Sequence, residues 1–339
     1  MISIRIIKSL SLVALLLFAS CSQRKAEPRL VNFRGVIFGT FYSVSYFCEE
    51  GNNYQAEIDS LFHHFNQSLS YYVPVSKISR INRNETDRAD GYFLTVLERS
   101  LEIAEQTNGA FDPTVSPLVN AWGFGFDQPQ TMTDAVIDSL KRLTGFQNVS
   151  IDGSRIVKDI PELQFDFNAI AKGYAADLAG LLLETKGITT YMVEIGGDLL
   201  ARGLKPDGTG WRIGIEKPAE HMYAQQEWAF LVELHNRALA TSGSTRKYYE
   251  KDGQRFSHTI DPTTGRPVDH NLLSVSVFAN DAMTADAFAT AFMVMGLDRS
   301  KEFVENREDL DAFFIYSTGL DEISTYTTPG LKVIPREEL

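Results

Sequence analysis

Cysteine is almost missing from this sequence: Cys21 and Cys48 are the only two in 339 residues. If Cys21 is spent on processing, Cys48 has no partner for an internal disulfide, and the fold must be held by its core. Cys48 then reads as a small core or strand residue rather than a reactive thiol. Positive charge is also scarce, with 32 Lys and Arg against 44 Asp and Glu and a formal charge of −12. That balance excludes the basic footprint nucleic-acid binding requires. It also means that an anionic ligand has to be met by a local device, such as a metal ion or a cluster of backbone N–H groups. Several common chemical motifs are absent: no G-x-G-x-x-G, no G-x-x-x-x-G-K-[ST], no H-E-x-x-H and no G-x-S-x-G. Ser244 and Lys247 form S-x-x-K, but neither S-D-N nor K-T-G accompanies them, so the match is chance. After Arg29 there is no linker-like composition, low-complexity stretch or internal repeat.

What is present begins at the N-terminus. Arg5 and Lys8 precede a short apolar run over residues 10–19, followed by Ser20-Cys21. A basic start, a short apolar core and small residues before a cut describe an export signal. The run is too short to span a bilayer, which takes about 20 apolar residues. Cys21 directly after Ala19-Ser20 resembles a lipobox cysteine, although Phe18 stands where Leu is commoner. The expected organisation is a lipoprotein signal at 1–20, a lipidated polar tether at 21–30 beginning at Cys21, and one folded domain at 31–339. Losing Arg5 and Lys8 deepens the charge from −12 to −14. The expected location is the bacterial envelope, lipid-anchored and facing the periplasm, with inner and outer membrane both open.

Residues 31–47 alternate around Phe38-Gly39-Thr40 and predict a hairpin. Helical spacing appears at 54–68, 92–107, 133–143, 170–186 and 284–295. Strands are expected near 149–151, 155–157, 190–195, 199–203, 211–216, 229–234, 238–242 and 273–278. A further hairpin is expected at 248–259, turning at Asp252-Gly253, and the tail completes the sheet near 312–316 and 331–334. Strands and helices mix without βαβ alternation. The fold class is α+β: sheets or barrel-like strands flanked by helices, in a single compact body of two lobes.

Seven dense polar-and-glycine segments remain, with these landmarks: Leu69-Ser70-Tyr71-Tyr72; Gly109-Ala110-Phe111-Asp112-Pro113-Thr114; the run from Asp166 through Ala169 and Lys172-Gly173 to Asp177; Glu194-Ile195-Gly196-Gly197-Asp198; Thr241-Ser242-Gly243-Ser244; His258-Thr259-Ile260-Asp261-Pro262; and Thr284-Ala285-Asp286 through Thr290. In this order, behind a lipobox, they resemble the FAD:protein FMN transferase family, also called the ApbE family, from about Gly35 to Gly296. The resemblance implies Mg²⁺-dependent transfer of FMN from FAD to a Ser or Thr hydroxyl of exported flavoproteins, with AMP leaving. The alternatives are an FAD pyrophosphatase yielding FMN and AMP, or a non-catalytic flavin-binding lipoprotein.

The residues make chemical sense in those roles. Asp286 and Thr290, four apart on a predicted helix, share a face and offer oxygen donors to a hard cation. On spacing alone they read more readily as a helix-start acid and a solvated hydroxyl; the resemblance assigns them to Mg²⁺ and adds the backbone carbonyl of Ala169. His258 is the candidate for proton transfer, since imidazole titrates near working pH; phosphate binding and a structural role stay open for it, and Asp286 can instead assist through the metal. By resemblance, Phe38, Tyr72, Ala110, Phe111, Asp112, Asp166, Lys172 and Ile260 contact FAD. Phe38 stands where the family usually has Met, and Lys77 where Glu is usual. For Phe111, core packing is an equal reading.

Overall fold

Alternation over the first strands produces a hairpin whose geometry then dictates the sheet. In the computed structural model the described residues are 27–125, 128–218, 227–244, 248–251, 254–319 and 322–338. The expected signal, Cys21 and Asp252-Gly253 fall outside them. Strands β1 (Arg29–Ile37) and β2 (Thr40–Cys48) pair antiparallel from Arg29↔Cys48 to Ile37↔Thr40. The two-residue turn between them has φ of 54° at Phe38 and 73° at Gly39, the left-handed pair that matches strand twist. Phe38 is a costly residue in that conformation. Its ring is held against Phe62 and Phe65, with centroids 6.1 and 5.2 Å away.

Six more strands extend the sheet: β3 (Tyr191–Ile195), β4 (Asp198–Arg202), β5 (Arg237–Gly243), β6 (Leu272–Ala279), β7 (Asp311–Gly319) and β8 (Glu322–Thr327). Each pairs antiparallel with the one before it, so the spatial order of the eight strands is their chain order. The sheet stays open, with β1 and β8 at its edges, rather than closing into a barrel.

Period-two alternation splits the buried side chains between its faces. Tyr191, Val193, Ile195, Val275, Val277, Ala312 and Phe314 join a core shared with the helices. Leu199, Ala201, Leu239, Phe278, Phe313 and Ile315 face the other way, onto a second core with Trp211, Ile215, Val232 and Leu234. That second layer is a three-stranded sheet of Trp211–Glu216, Trp228–Leu234 and Val333–Pro335. What the sequence suggests as two lobes are two cores, one on each face of one sheet. Cys48 is buried and free, as expected.

The helices are α1 (Gln55–Leu69), α2 (Lys77–Asn82), α3 (Gly91–Gln106), α4 (Ser116–Ala121), α5 (Asp134–Lys141), α6 (Ala171–Thr185), α7 (Ala282–Met295) and α8 (Leu297–Glu305). Five match the periodicity. The short α2 and α4 have too few turns to show a period. The sequence reading also missed α8, because Gly296 reads as a stop; at φ 76° it ends α7 and starts α8 at once. The tail differs in a second way: Val333–Pro335 joins the small sheet, and Glu322–Thr327 provides the last central strand. Among the described residues no helix is long and apolar enough to cross a membrane.

Candidate functional site

Two helices from distant parts of the chain meet end against flank beneath the sheet. Gly173, in the first turn of α6, lacks the Cβ that would lie 2.1 Å from the Ala282 carbonyl oxygen and 2.8 Å from Met283 Cα. A side chain there would strike backbone, so only glycine allows the crossing. The helices then cap one another. Asp177 of α6 accepts hydrogen bonds from the N–H groups of Ala282 and Met283 at 2.8 and 2.9 Å, at the start of α7. Asp286 of α7 accepts one from Gly173 N–H at 3.2 Å, at the start of α6. Helix starts carry unpaired N–H groups and partial positive charge, so both carboxylates sit where an anion is favoured. Burial pushes the Asp177 carboxyl up to about 7, aided by nearby Asp281 and opposed by the two N–H groups.

This crossing places a charged cluster. Lys172 Nζ lies 2.5 Å from Asp198 Oδ2 and 3.2 Å from both oxygens of Asp286. Asp198 and Asp286 are 2 and 3 % exposed, whereas the Lys172 side chain is 30 % exposed. Burial pulls the lysine down, but the two carboxylates outweigh it and hold its pKa above the ordinary value. Burial and the adjacent Asp286 charge push Asp198 up, against the pull of Lys172. Were both carboxylates ionised, one ammonium would leave a net charge of −1 in a place poor in water. Such an excess is unfavourable unless a proton or a further cation relieves it. Thr290, part-buried, sits one helical turn beyond Asp286. A carboxylate and a hydroxyl at that spacing, beside a second buried carboxylate, form a donor set that fits a hard divalent cation. Ala169 lies in the turn just before α6, part-buried against the main core. Among the described residues no group of three or more His, Cys, Asp and Glu could hold a metal ion, so this reading depends on hydroxyl and carbonyl donors.

The other candidates surround the crossing. Tyr72 is 59 % exposed, and its ring lies 4.3 Å from that of Tyr71 between centroids. The Tyr71 hydroxyl donates to that of Tyr72 at 2.9 Å and accepts from Asn168 Nδ2 at 3.0 Å. Asp166, in the same turn as Asn168, accepts from the Asn168 backbone N–H at 2.8 Å. Its carboxyl is pushed up to about 6 by burial. Its own N–H donates to the Pro113 carbonyl, which ties the second segment to the third. Ala110, Phe111 and Asp112 are buried at 5, 3 and 9 % exposure. The Asp112 carboxylate is filled by Thr114 N–H and O–H and by Phe146 N–H, so it braces two loops. Phe111 belongs to the main core.

Ile260 packs with Leu118, Trp122 and Ile137, and Trp122 Nε1 donates to the Gly265 carbonyl at 2.9 Å. His258 follows the strand Gln254–Ser257, part-buried, its ring 6.4 Å from that of Phe124. Thus Lys172, Asp198 and Asp286 come together, and the turn bearing Asp166 and Ala169 leads directly into α6, which carries Lys172. Ile260 and His258 belong to a neighbouring loop cluster. Sequence reasoning assigned no role to Asp198 or Asp177. Both stand at the ends of quoted segments, and an acid directly after Gly196-Gly197 was the signal for Asp198.

Known proteins resemble this chain along most of its length. The sequence model of the ApbE family matches residues 38–314. A Vibrio cholerae protein named FAD:protein FMN transferase is 40 % identical over 304 residues, covering 87 % of this chain and 89 % of the relative. An Escherichia coli K12 protein of the same name is 36 % identical over 343 residues, covering 95 % of each. Among solved structures, the flavin transferase ApbE from Vibrio cholerae superposes with a TM-score of 0.79 at 37 % identity, covering 89 % of this chain and 98 % of that one. The Pseudomonas stutzeri flavinyl transferase ApbE, in its apo form, gives 0.79 at 34 %, covering 89 and 96 %. By sequence and by fold, this chain belongs to the ApbE family.

Proposed function

We propose that the protein transfers the FMN moiety of FAD to a Ser or Thr hydroxyl of exported flavoproteins, releasing AMP. The observation that carries this reading is the buried Lys172–Asp198–Asp286 cluster, assembled from three distant segments in a chain whose relatives are named FAD:protein FMN transferase.

In this reading Mg²⁺ is held by Asp286, Thr290 and the Ala169 carbonyl, and when bound it neutralises charge developing on the FAD diphosphate. Lys172 adds an ammonium toward a phosphate oxygen. Tyr72 offers an exposed face to the isoalloxazine, and Phe38 a second ring. Asp166 accepts from ribityl or adenosine hydroxyls. Ala110, Phe111, Asp112 and Ile260 contact the ligand through their backbone, since their side chains are buried. The target hydroxyl oxygen attacks the FMN phosphorus, the bond to the AMP oxygen breaks, and AMP leaves with that electron pair. His258 accepts the hydroxyl proton.

The test is incubation with FAD, Mg²⁺ and an exported target domain. The expected result is AMP in equal amount to a target heavier by one phosphoester-linked FMN. AMP without the adduct would make the protein a pyrophosphatase, and flavin binding without AMP a carrier. His258→Ala should slow transfer more than it weakens FAD binding; equal losses would make it a binding residue. We further infer that Cys21 is acylated and anchors the mature protein facing the periplasm. Palmitate labelling that persists in Cys21→Ala would remove that inference.

A further inference from the structure

We propose that Asp198 is a positioning residue that keeps the Lys172 ammonium in the site once a divalent cation engages Asp286. The inference rests on the transferase reading above and names how the two positive groups coexist there.

The geometry of Lys172 is unequal. Its ammonium lies 2.5 Å from Asp198 and 3.2 Å from each oxygen of Asp286, so Asp198 is the closer partner. Asp286 also has other demands: it accepts from Gly173 N–H, and with Thr290 it forms the donor set that fits a hard cation. A cation bound there repels the ammonium and takes up the charge that half-held it. Lysine is a flexible, strongly hydrated point charge, so without a second anchor it would swing out to water. Asp198 supplies that anchor.

The anchor itself is rigid for reasons visible in the sheet. Asp198 opens β4 opposite Ile195 in the ladder. The two residues linking them, Gly196 and Gly197, both have positive φ, at 57° and 94°. Gly196 N–H donates to the Phe41 carbonyl at 3.0 Å, and a Cβ on Gly196 would lie 2.9 Å from Thr40 Cγ2. The β1–β2 hairpin therefore clamps the turn that carries Asp198, and the carboxylate is 2 % exposed. A long side chain from a helix is thus pinned by a short one from a sheet.

The experiment is a double-mutant cycle on the mature protein. FAD affinity is read by flavin fluorescence with and without Mg²⁺ in wild type, Asp198→Asn, Lys172→Ala and the double variant, and Mn²⁺ binding is read separately by electron paramagnetic resonance. Asp198→Asn should weaken FAD by about tenfold, as expected for a charge-assisted contact, and Lys172→Ala by at least as much. The double variant should be no weaker than Lys172→Ala alone, because Asp198 acts through the lysine. Mn²⁺ binding should survive Asp198→Asn. Multiplying losses would overturn the proposal, and so would loss of Mn²⁺ binding, which would make Asp198 a metal ligand instead. Asp198→Glu, which keeps the charge, should recover part of the affinity and show the same non-additivity; if Asp198→Asn does not fold, this variant decides the matter alone. A wild type that binds neither FAD nor Mn²⁺ would remove the transferase reading itself, and that outcome is distinguishable from the others.

Discussion

The starts of α6 and α7 present the same device with different outcomes. At α7, Asp177 accepts two backbone N–H groups and is part-buried on the helix side of the sheet. At α6, Asp286 accepts one N–H group and shares its remaining capacity with Lys172. Both are acids at a helix start, where the unpaired N–H groups favour an anion. The first is consumed by the fold. The second keeps lone pairs turned toward Lys172, which a second buried carboxylate also holds. A carboxylate's residue type and helix position do not separate a structural cap from a chemical group; what its other oxygen faces does.

The comparison can be broken or sharpened by substitution. The largest expected effect is on activity: Asp286→Asn keeps an acceptor for Gly173 N–H but loses the charge. AMP release should fall by roughly a hundredfold or more while the melting temperature moves little. An Asp286→Asn protein that turns over normally would show that its spare lone pairs have no chemical use. Gly173→Ala should follow, costing about 3 kcal/mol, because the new methyl meets backbone on the facing helix. Gly91→Ala is its control, since nothing lies within 4 Å of a Cβ there; a change beyond about 1 kcal/mol would undermine the steric account. Asp177→Ala should cost about 1–2 kcal/mol through the lost caps, read by urea unfolding, with FAD affinity falling only in step with stability.

The smallest effect is a pH slope. The Asp177 carboxyl is raised from 3.8 to about 7 in the folded protein, chiefly by burial. Between those values the folded state holds a proton that the unfolded state releases, so this group's contribution to stability declines as pH rises through the window. Wild type should therefore lose more stability from pH 4 to pH 7 than Asp177→Asn does. Parallel curves for the two proteins would refute the assignment.

Much of the fold was legible before any coordinates. The hairpin at Phe38-Gly39 and the helices of eight or more residues other than α8 follow from local period and turn chemistry. The six-residue α2 and α4 did not, because six residues carry too little periodicity, and Gly296 misled because one glycine serves two helices. For the site, Lys172, Asp286 and Thr290 were singled out by the family resemblance, since spacing alone favoured a helix-start acid and a solvated hydroxyl. Their meeting with Asp198 was not, since the lysine and that acid are separated by a helix, a strand and a glycine turn. Asp112 illustrates the reverse: a motif acid whose carboxylate is taken up by Thr114 and Phe146.

The sequence by itself determined the antiparallel strands, the longer helices, the acidic surface and the family to which the chain belongs, because period, turn residues and charge are local or additive properties. Only the tertiary structure decided which acids are spent and which are available. That depends on close approach, as at Gly173 against Ala282, and on burial, which sets the cost of every unpaired charge. Neither quantity exists until distant segments are brought into contact.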